Sequence, residues 1–125
     1  MANAKPEIDE GRARELLRRE RERVESALAE IERARRSEID EGDTATAAED
    51  DAEVIEEEAR DDARARQVRA ELAAIERAEK RLGDGTFGVS VESGEPIPAA
   101  RLEAVPWAER TASEQERYER SGGGT

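Results

Sequence analysis

Leu17, Val24 and Ile31 stand seven residues apart, and Val68, Ile75 and Leu82 repeat the interval further along the chain. A seven-residue apolar spacing puts one side chain every two helical turns on a single stripe, so each run reads as an amphipathic helix with a narrow seam. In the first run, from Glu7 to about Ile39, Ala27, Leu28 and Ala34 fill the adjacent seam positions; in the second, from about Ala47 to Leu82, Ala65 and Leu72 interleave. Each seam needs a partner. The connection Asp40-Glu41-Gly42-Asp43-Thr44-Ala45-Thr46 is short: Gly42 suits the position just past a helix end, and Thr46-Ala47-Ala48-Glu49 has the form of a capping box. The pattern predicts an antiparallel hairpin of two helices, each about 45–50 Å long, with a thin, alanine-rich seam that frays towards its tip.

Composition tests that reading. Leu, Ile, Val and Phe number only 19 of 125 residues, a share at which a highly charged chain is suspected of disorder. Ala, Glu, Lys, Leu and Arg supply 74, which signals long helices when the period is helical. The heptads favour the helical assembly over a disordered acidic chain. There is no Cys and no His, which excludes disulfides, thiolate or imidazole metal sites, and nucleophiles of the Cys–His or Ser–His kind. The net charge of −12 argues against direct binding to nucleic-acid phosphates or anionic membranes and favours a protein partner with a basic surface.

Charge is unevenly distributed. From Glu41 to Asp62 there are eleven acidic residues against Arg60 alone, whereas Arg12 to Arg36 holds nine Arg and six Glu. The acidity concentrates at one end of the expected hairpin. Pairs such as Asp50-Asp51 and Asp61-Asp62 do not make a catalytic constellation, because adjacent helical residues do not face one another as an acid and a base must; no enzyme is expected. The start of the chain lacks an apolar signal-type region and no apolar run reaches a membrane span, so a cytoplasmic protein with no membrane contact is expected.

After Leu82 the pattern changes. Gly83-Asp84-Gly85-Thr86-Phe87-Gly88 reads as a turn, and Val89, Val91 and Ile97 suggest two short strands. Ala99 to Ala104 reads as a helical turn ended by Pro106, and Thr111-Ala112-Ser113-Glu114 as the cap of a last helix reaching about Arg120. Phe87, Val89, Val91, Ile97, Leu102, Val105 and Trp107 are the expected core of this second unit. The domains expected are therefore a hairpin over 7–82 with its tip near 40–52, a small module over 83–120 and a flexible tail over 121–125.

Gly85-Thr86-Phe87-Gly88, Ser93-Gly94-Glu95-Pro96-Ile97 and Arg101-Leu102-Glu103-Ala104-Val105-Pro106-Trp107-Ala108, in this order and spacing, resemble the C-terminal zinc finger of the DksA/TraR family. The family's two Cys-x-x-Cys pairs fall on Ser90 and Ser93 and on Thr111 and Glu114. Neutral hydroxyls and one carboxylate are a poor set for Zn²⁺, so the metal is expected to be absent. The fold class expected is mainly α: a long antiparallel coiled-coil helical hairpin plus a small, metal-free zinc-finger-like α/β module.

The resemblance further implies a hairpin whose tip enters the secondary channel of bacterial RNA polymerase. The family's acidic tip motif falls on Asp50, Asp51 and Ala52, with Asp43 as the alternative carboxylate one heptad earlier. Carboxylates there would perturb the electrostatics around the polymerase's Mg²⁺ without catalysing a reaction themselves. The resemblance implies transcription regulation of the stringent-response kind by a monomer, without sequence-specific contact to DNA, and admits the alarmone guanosine tetraphosphate as an effector. Arg69, Arg77 and Arg81 lie near the corresponding part of the second helix, whereas Ala73 and Ala74 are not basic. The alternative reading is an acidic helical-hairpin interaction module that has lost polymerase regulation.

Overall fold

The computed structural model describes the backbone over residues 5–41 and 51–122, and the side chains over 5–37 and 52–122. Within them the protein is mainly helical, with α1 at Glu10–Glu41, α2 at Asp51–Asp84, α3 at Ala99–Ala104 and α4 at Ala112–Arg120. Gly42, the Thr46–Glu49 cap, Asp43 and Asp50 lie outside the described residues. No helix among the described residues is long and apolar enough to cross a membrane.

Local chemistry sets the helix ends. The Arg12 amide donates to Asp9 Oδ1 at 2.7 Å and the Ala13 amide to the Asp9 carbonyl at 3.0 Å, so Asp9 caps α1. Glu10 with Arg14 and Glu15 with Arg19 pair one turn apart on its exposed face. At the other junction α2 runs two residues beyond Leu82, through Gly83 and Asp84. It stops at Gly85, whose φ of 79° is left-handed. The Thr86 amide then donates to the Arg81 carbonyl at 2.8 Å and the Gly85 amide to Leu82 at 3.4 Å, the paired bonds of a Schellman ending.

The chain forms two compact units, one from Met1–Arg21 with Ala74–Thr125 and one from Glu22–Ala73. In the second, Val24, Ile31 and Ala65 are buried, while Ala27, Leu28, Val68 and Leu72 are half-buried and Ala34 is exposed. Arg23 pairs with Glu71 at 3.3 Å and Arg35 with Asp62. The partner number on α2 falls as the number on α1 rises, so the helices are antiparallel there. In the first unit Arg21 lies 2.8 Å from Glu79, and Leu16, Leu17, Ala74, Ile75 and Ala78 pack with Phe87, Ile97, Leu102 and Ala108 into the larger core.

The segment between α2 and α3 departs from the expected strands. Its arms meet at one antiparallel bridge, Val89 with Pro96, flanked by bonds from the Ser90 amide to the Glu95 carbonyl and from Ile97 to Gly88, at 2.8 and 2.9 Å. Pro96 has no amide to extend a ladder. Val91 is turned out, 49% exposed, and its amide goes to the Glu109 carbonyl at 2.8 Å. The segment before α1 closes over this module. Pro6 sits so near Gly88 that a Cβ there would overlap the Pro6 ring, the Ala99 amide donates to Glu7 Oε1 at 2.8 Å, and Arg12 donates to both oxygens of Glu103 at 2.9 and 2.7 Å.

Candidate functional site

Two places carry the residues singled out by sequence. At the first, Asp51 opens α2 and Ala52 lies exposed in its first turn. The stretch from Ala52 to Arg64 is exposed throughout, including Glu53, Glu56, Glu57, Glu58, Asp61 and Asp62. Val54 and Ile55 are exposed beside them, by 44% and 63%, so this part of α2 presents carboxylates and two apolar side chains together.

The second place is the module. Ser90, Ser93, Thr111 and Glu114 come from two separate segments, the turn after Val89 and the start of α4, and the fold brings them together. Ser90 is buried and accepts at Oγ from the amides of Glu92 and Ser93, at 3.0 and 3.2 Å. The exposed Ser93 accepts from the Glu95 amide at 3.3 Å. Thr111 caps α4: the Glu114 amide donates to its hydroxyl at 3.4 Å, and its own amide donates to Glu114 Oε1 at 2.8 Å. The Glu114 carboxyl is held well below its ordinary value, at about 2, by the Ser90 hydroxyl first, then the Thr111 amide, the Ser93 hydroxyl and the Thr111 hydroxyl, against the opposing effect of its burial.

A third feature was only partly legible from sequence. A groove of about 710 Å³ is lined by, among others, Arg77, Arg101, Arg110, Trp107 and Tyr118. Arg77 donates to Glu109 Oε1 at 3.0 and 2.6 Å, Arg101 donates to the Arg110 carbonyl at 2.8 Å, and the Arg110 guanidinium lies 3.6 Å above the Tyr118 ring. Arg110 also approaches Glu92 to 3.3 Å, an ion-pair distance without hydrogen-bond alignment. Beside the groove, Arg81 is 3.8 Å from Glu109, and its Nε and Nη2 are buried without a partner among the described residues. That burial lowers its basicity against the pull of Glu109. Arg101 and Trp107 sit in the Arg101–Ala108 motif, and no local spacing announces that they share a wall with Arg77 and Arg110. Arg69 lies in the other compact unit.

Residues 85–120 match the family model of the prokaryotic dksA/traR C4-type zinc finger. The RNA polymerase-binding transcription factor DksA of Caulobacter vibrioides is 47% identical over 49 residues, covering 39% of this chain and 34% of the relative. General stress protein 16O of Bacillus subtilis is 46% identical over 44 residues, 35% of this chain and 27% of the relative. The matched part thus spans about a third or less of these curated relatives. The solved structure of transcription factor DksA2 from Pseudomonas aeruginosa superposes with a TM-score of 0.71 at 25% identity, covering 90% of this chain and 84% of that one.

The C4 description implies zinc, and the side chains here do not fit it. Hydroxyls of Ser and Thr are not ionised at neutral pH and are weak Zn²⁺ donors, and the one carboxylate already accepts the hydrogen bonds of its neighbours. Among the described residues no group of three or more His, Cys, Asp or Glu is placed to hold a metal ion. Residues 85–120 thus carry the module of the dksA/traR C4-type zinc-finger model without a single cysteine, in a chain that shares its fold with DksA2 over nine-tenths of its length.

Proposed function

We propose that this chain is a transcription regulator that binds bacterial RNA polymerase through its secondary channel, delivers the acidic end of its helical hairpin towards the catalytic centre, and does so without zinc. The observation that carries the reading is the fold shared with DksA2, combined with the fully exposed acidic run at the start of α2. In this reading the hairpin over 7–82 is the probe and the module over 83–120 is its base; the tail expected over 121–125 lies largely outside the described residues. Asp50, Asp51 and Ala52 carry the tip function, with Asp43 as the alternative carboxylate. The carboxylates act by charge: a cluster of negative groups near bound Mg²⁺ and phosphate-handling cations shifts the local potential. The protein works as a cytoplasmic monomer, touches no promoter sequence and catalyses no reaction.

The groove bordered by Arg77, Arg101, Arg110, Trp107 and Tyr118 offers guanidinium donors and aromatic faces, a chemistry suited to a nucleotide phosphate ester such as guanosine tetraphosphate. In vitro transcription with the cognate polymerase, with and without the alarmone, tests both levels. The expected result is a promoter-dependent change in initiation that is reduced in a variant combining Asp50→Asn, Asp51→Ala and Asp43→Ala while polymerase binding persists. Binding without any transcriptional effect of the unaltered chain would favour the interaction module that has lost regulation. No binding to polymerase at low salt would overturn the proposal.

A further inference from the structure

The helix α3 does little to hold itself. It has six residues, Pro98 before it offers no side-chain cap, and Leu102 is its one buried side chain. A helix this short is not stable alone, and a single apolar anchor fixes where it lies without fixing its ends. Both ends are gripped instead from the start of the chain. The Ala99 amide donates to Glu7 Oε1 at 2.8 Å, and Glu103, near the other end, accepts from Arg12 Nε and Nη2 at 2.9 and 2.7 Å. In α4, by contrast, Thr111 and Glu114 form the cap from within the helix and its own N-cap.

The two grips have unequal backing. Arg12 stands in the first turn of α1, beside Ala13 and one turn before Leu16 and Leu17, all buried. Glu7 belongs to the segment before α1, where Lys5, Pro6, Glu7 and Asp9 are exposed and Ile8 is half-buried. Pro6 and Ile8 line, with Leu82, Gly85 and Phe87 among others, a cavity of about 350 Å³. The segment is therefore not close-packed on the core and can leave it with little loss of apolar contact. We propose that residues 5–9 are a strap that opens together with α3 as a local unit, while α4 stays closed. α3 carries Arg101, which donates to the Arg110 carbonyl at 2.8 Å and lines the large groove. Opening the strap loosens that wall, so the start of the chain sets how firmly the groove is built. This device goes beyond polymerase binding and holds whether or not the chain regulates transcription.

The test is hydrogen exchange followed by NMR in the full-length chain, for Glu7→Ala, Arg12→Ala and the two together. Neither side chain is buried, so the variants are expected to fold. The Leu102 and Val105 amides, bonded to the Pro98 and Arg101 carbonyls, and the Arg101 Nε–H should exchange several-fold faster in each single variant and faster still in the double. The Gln115 amide, bonded to the Thr111 carbonyl in α4, should keep its rate. Glu7→Gln retains a neutral acceptor and should give back most of the protection that Glu7→Ala loses. Unchanged exchange at Leu102 and Val105 would mean that the burial of Leu102 alone holds α3, and would overturn the proposal. An equal rise at Gln115 would overturn it too, since the module would then open as one body.

Discussion

Around the module the chain buries Leu17, Ile75, Phe87, Ile97 and Leu102, whereas between Glu22 and Ala73 it buries only Val24, Ile31 and Ala65 among the described residues. The same two helices run through both units, so secondary structure is not what separates them. In the module unit, large side chains and bonds that link distant segments fix one arrangement. In the other unit the helices rely on intrinsic propensity, a few small seam residues and exposed ion pairs, each worth about 0–1 kcal/mol. The difference teaches where sequence is constrained. A stretch such as Glu53–Asp62 can hold carboxylates at six of its ten positions because it has so little packing to protect.

The contrast can be broken by deleting equivalent bulk on each side. Leu102→Ala is expected to cost about 3–5 kcal/mol and Ile31→Ala about 2, at the low end of the range for aliphatic truncation, because Leu102 is fully enclosed and Ile31 lies at a thin seam. Equal losses in chemical denaturation would refute it. Gly88→Ala comes next, at about 1–3 kcal/mol, since φ is 84° and the new Cβ would meet Pro6. Pro6→Gly, which removes the Cβ that the new methyl would meet, should in the same background recover only the part due to overlap, and full recovery would show that the backbone angle costs nothing.

Smaller effects sharpen the comparison. Arg12→Ala removes the two-point bond to Glu103 but should cost less than either core truncation, because the side chains are 38% and 42% exposed, and the loss should shrink in 1 M salt. The Arg12 hydrogen bond, aided by its charge, lowers the Glu103 pKa below 4.5 against the effect of burial. A depressed carboxyl contributes stability above its unfolded value and loses it as pH falls through the folded one. Unaltered protein and Arg12→Ala should therefore converge in stability below that window, and a gap that widened in acid would be inconsistent with the assignment. Smallest of all, Ile55→Glu at a 63% exposed site should change the unfolding free energy by no more than about 0.5 kcal/mol.

Much of this architecture was legible because its causes are local. The heptads place Leu17, Val24, Ile31 and Ile75 in the seam, and Thr111 with Glu114 announces the α4 cap. Ala34, expected at the seam, is exposed, as a period-seven pattern alone does not say where a partner helix stops covering it. The end of α2 ran past Leu82 because the left-handed residue is Gly85, and nothing in the spacing distinguishes it from Gly83. The strands reduced to one bridge because Val91 spends its amide on Glu109, a partner outside the hairpin arms. For the candidate site, the positions Ser90, Ser93, Thr111 and Glu114 could be named by resemblance. That the Ser90 oxygen is buried and accepts the amides of Glu92 and Ser93 is a fact of folded geometry that the resemblance could not supply.

The polar contacts between distant parts of the chain span very unequal intervals. Ala99 reaches Glu7 across 92 residues and Arg12 reaches Glu103 across 91, whereas the helix-to-helix pairs Arg35–Asp62 and Arg23–Glu71 close intervals of 27 and 48. Shorter intervals close first, because loop entropy is lost before distant contacts repay it. On a ribosome the helical hairpin can therefore zip while Leu16 and Leu17, made early, still wait for Ile97 and Leu102. The module is completed after the hairpin, and until then the apolar faces of Leu16 and Leu17 stay uncovered.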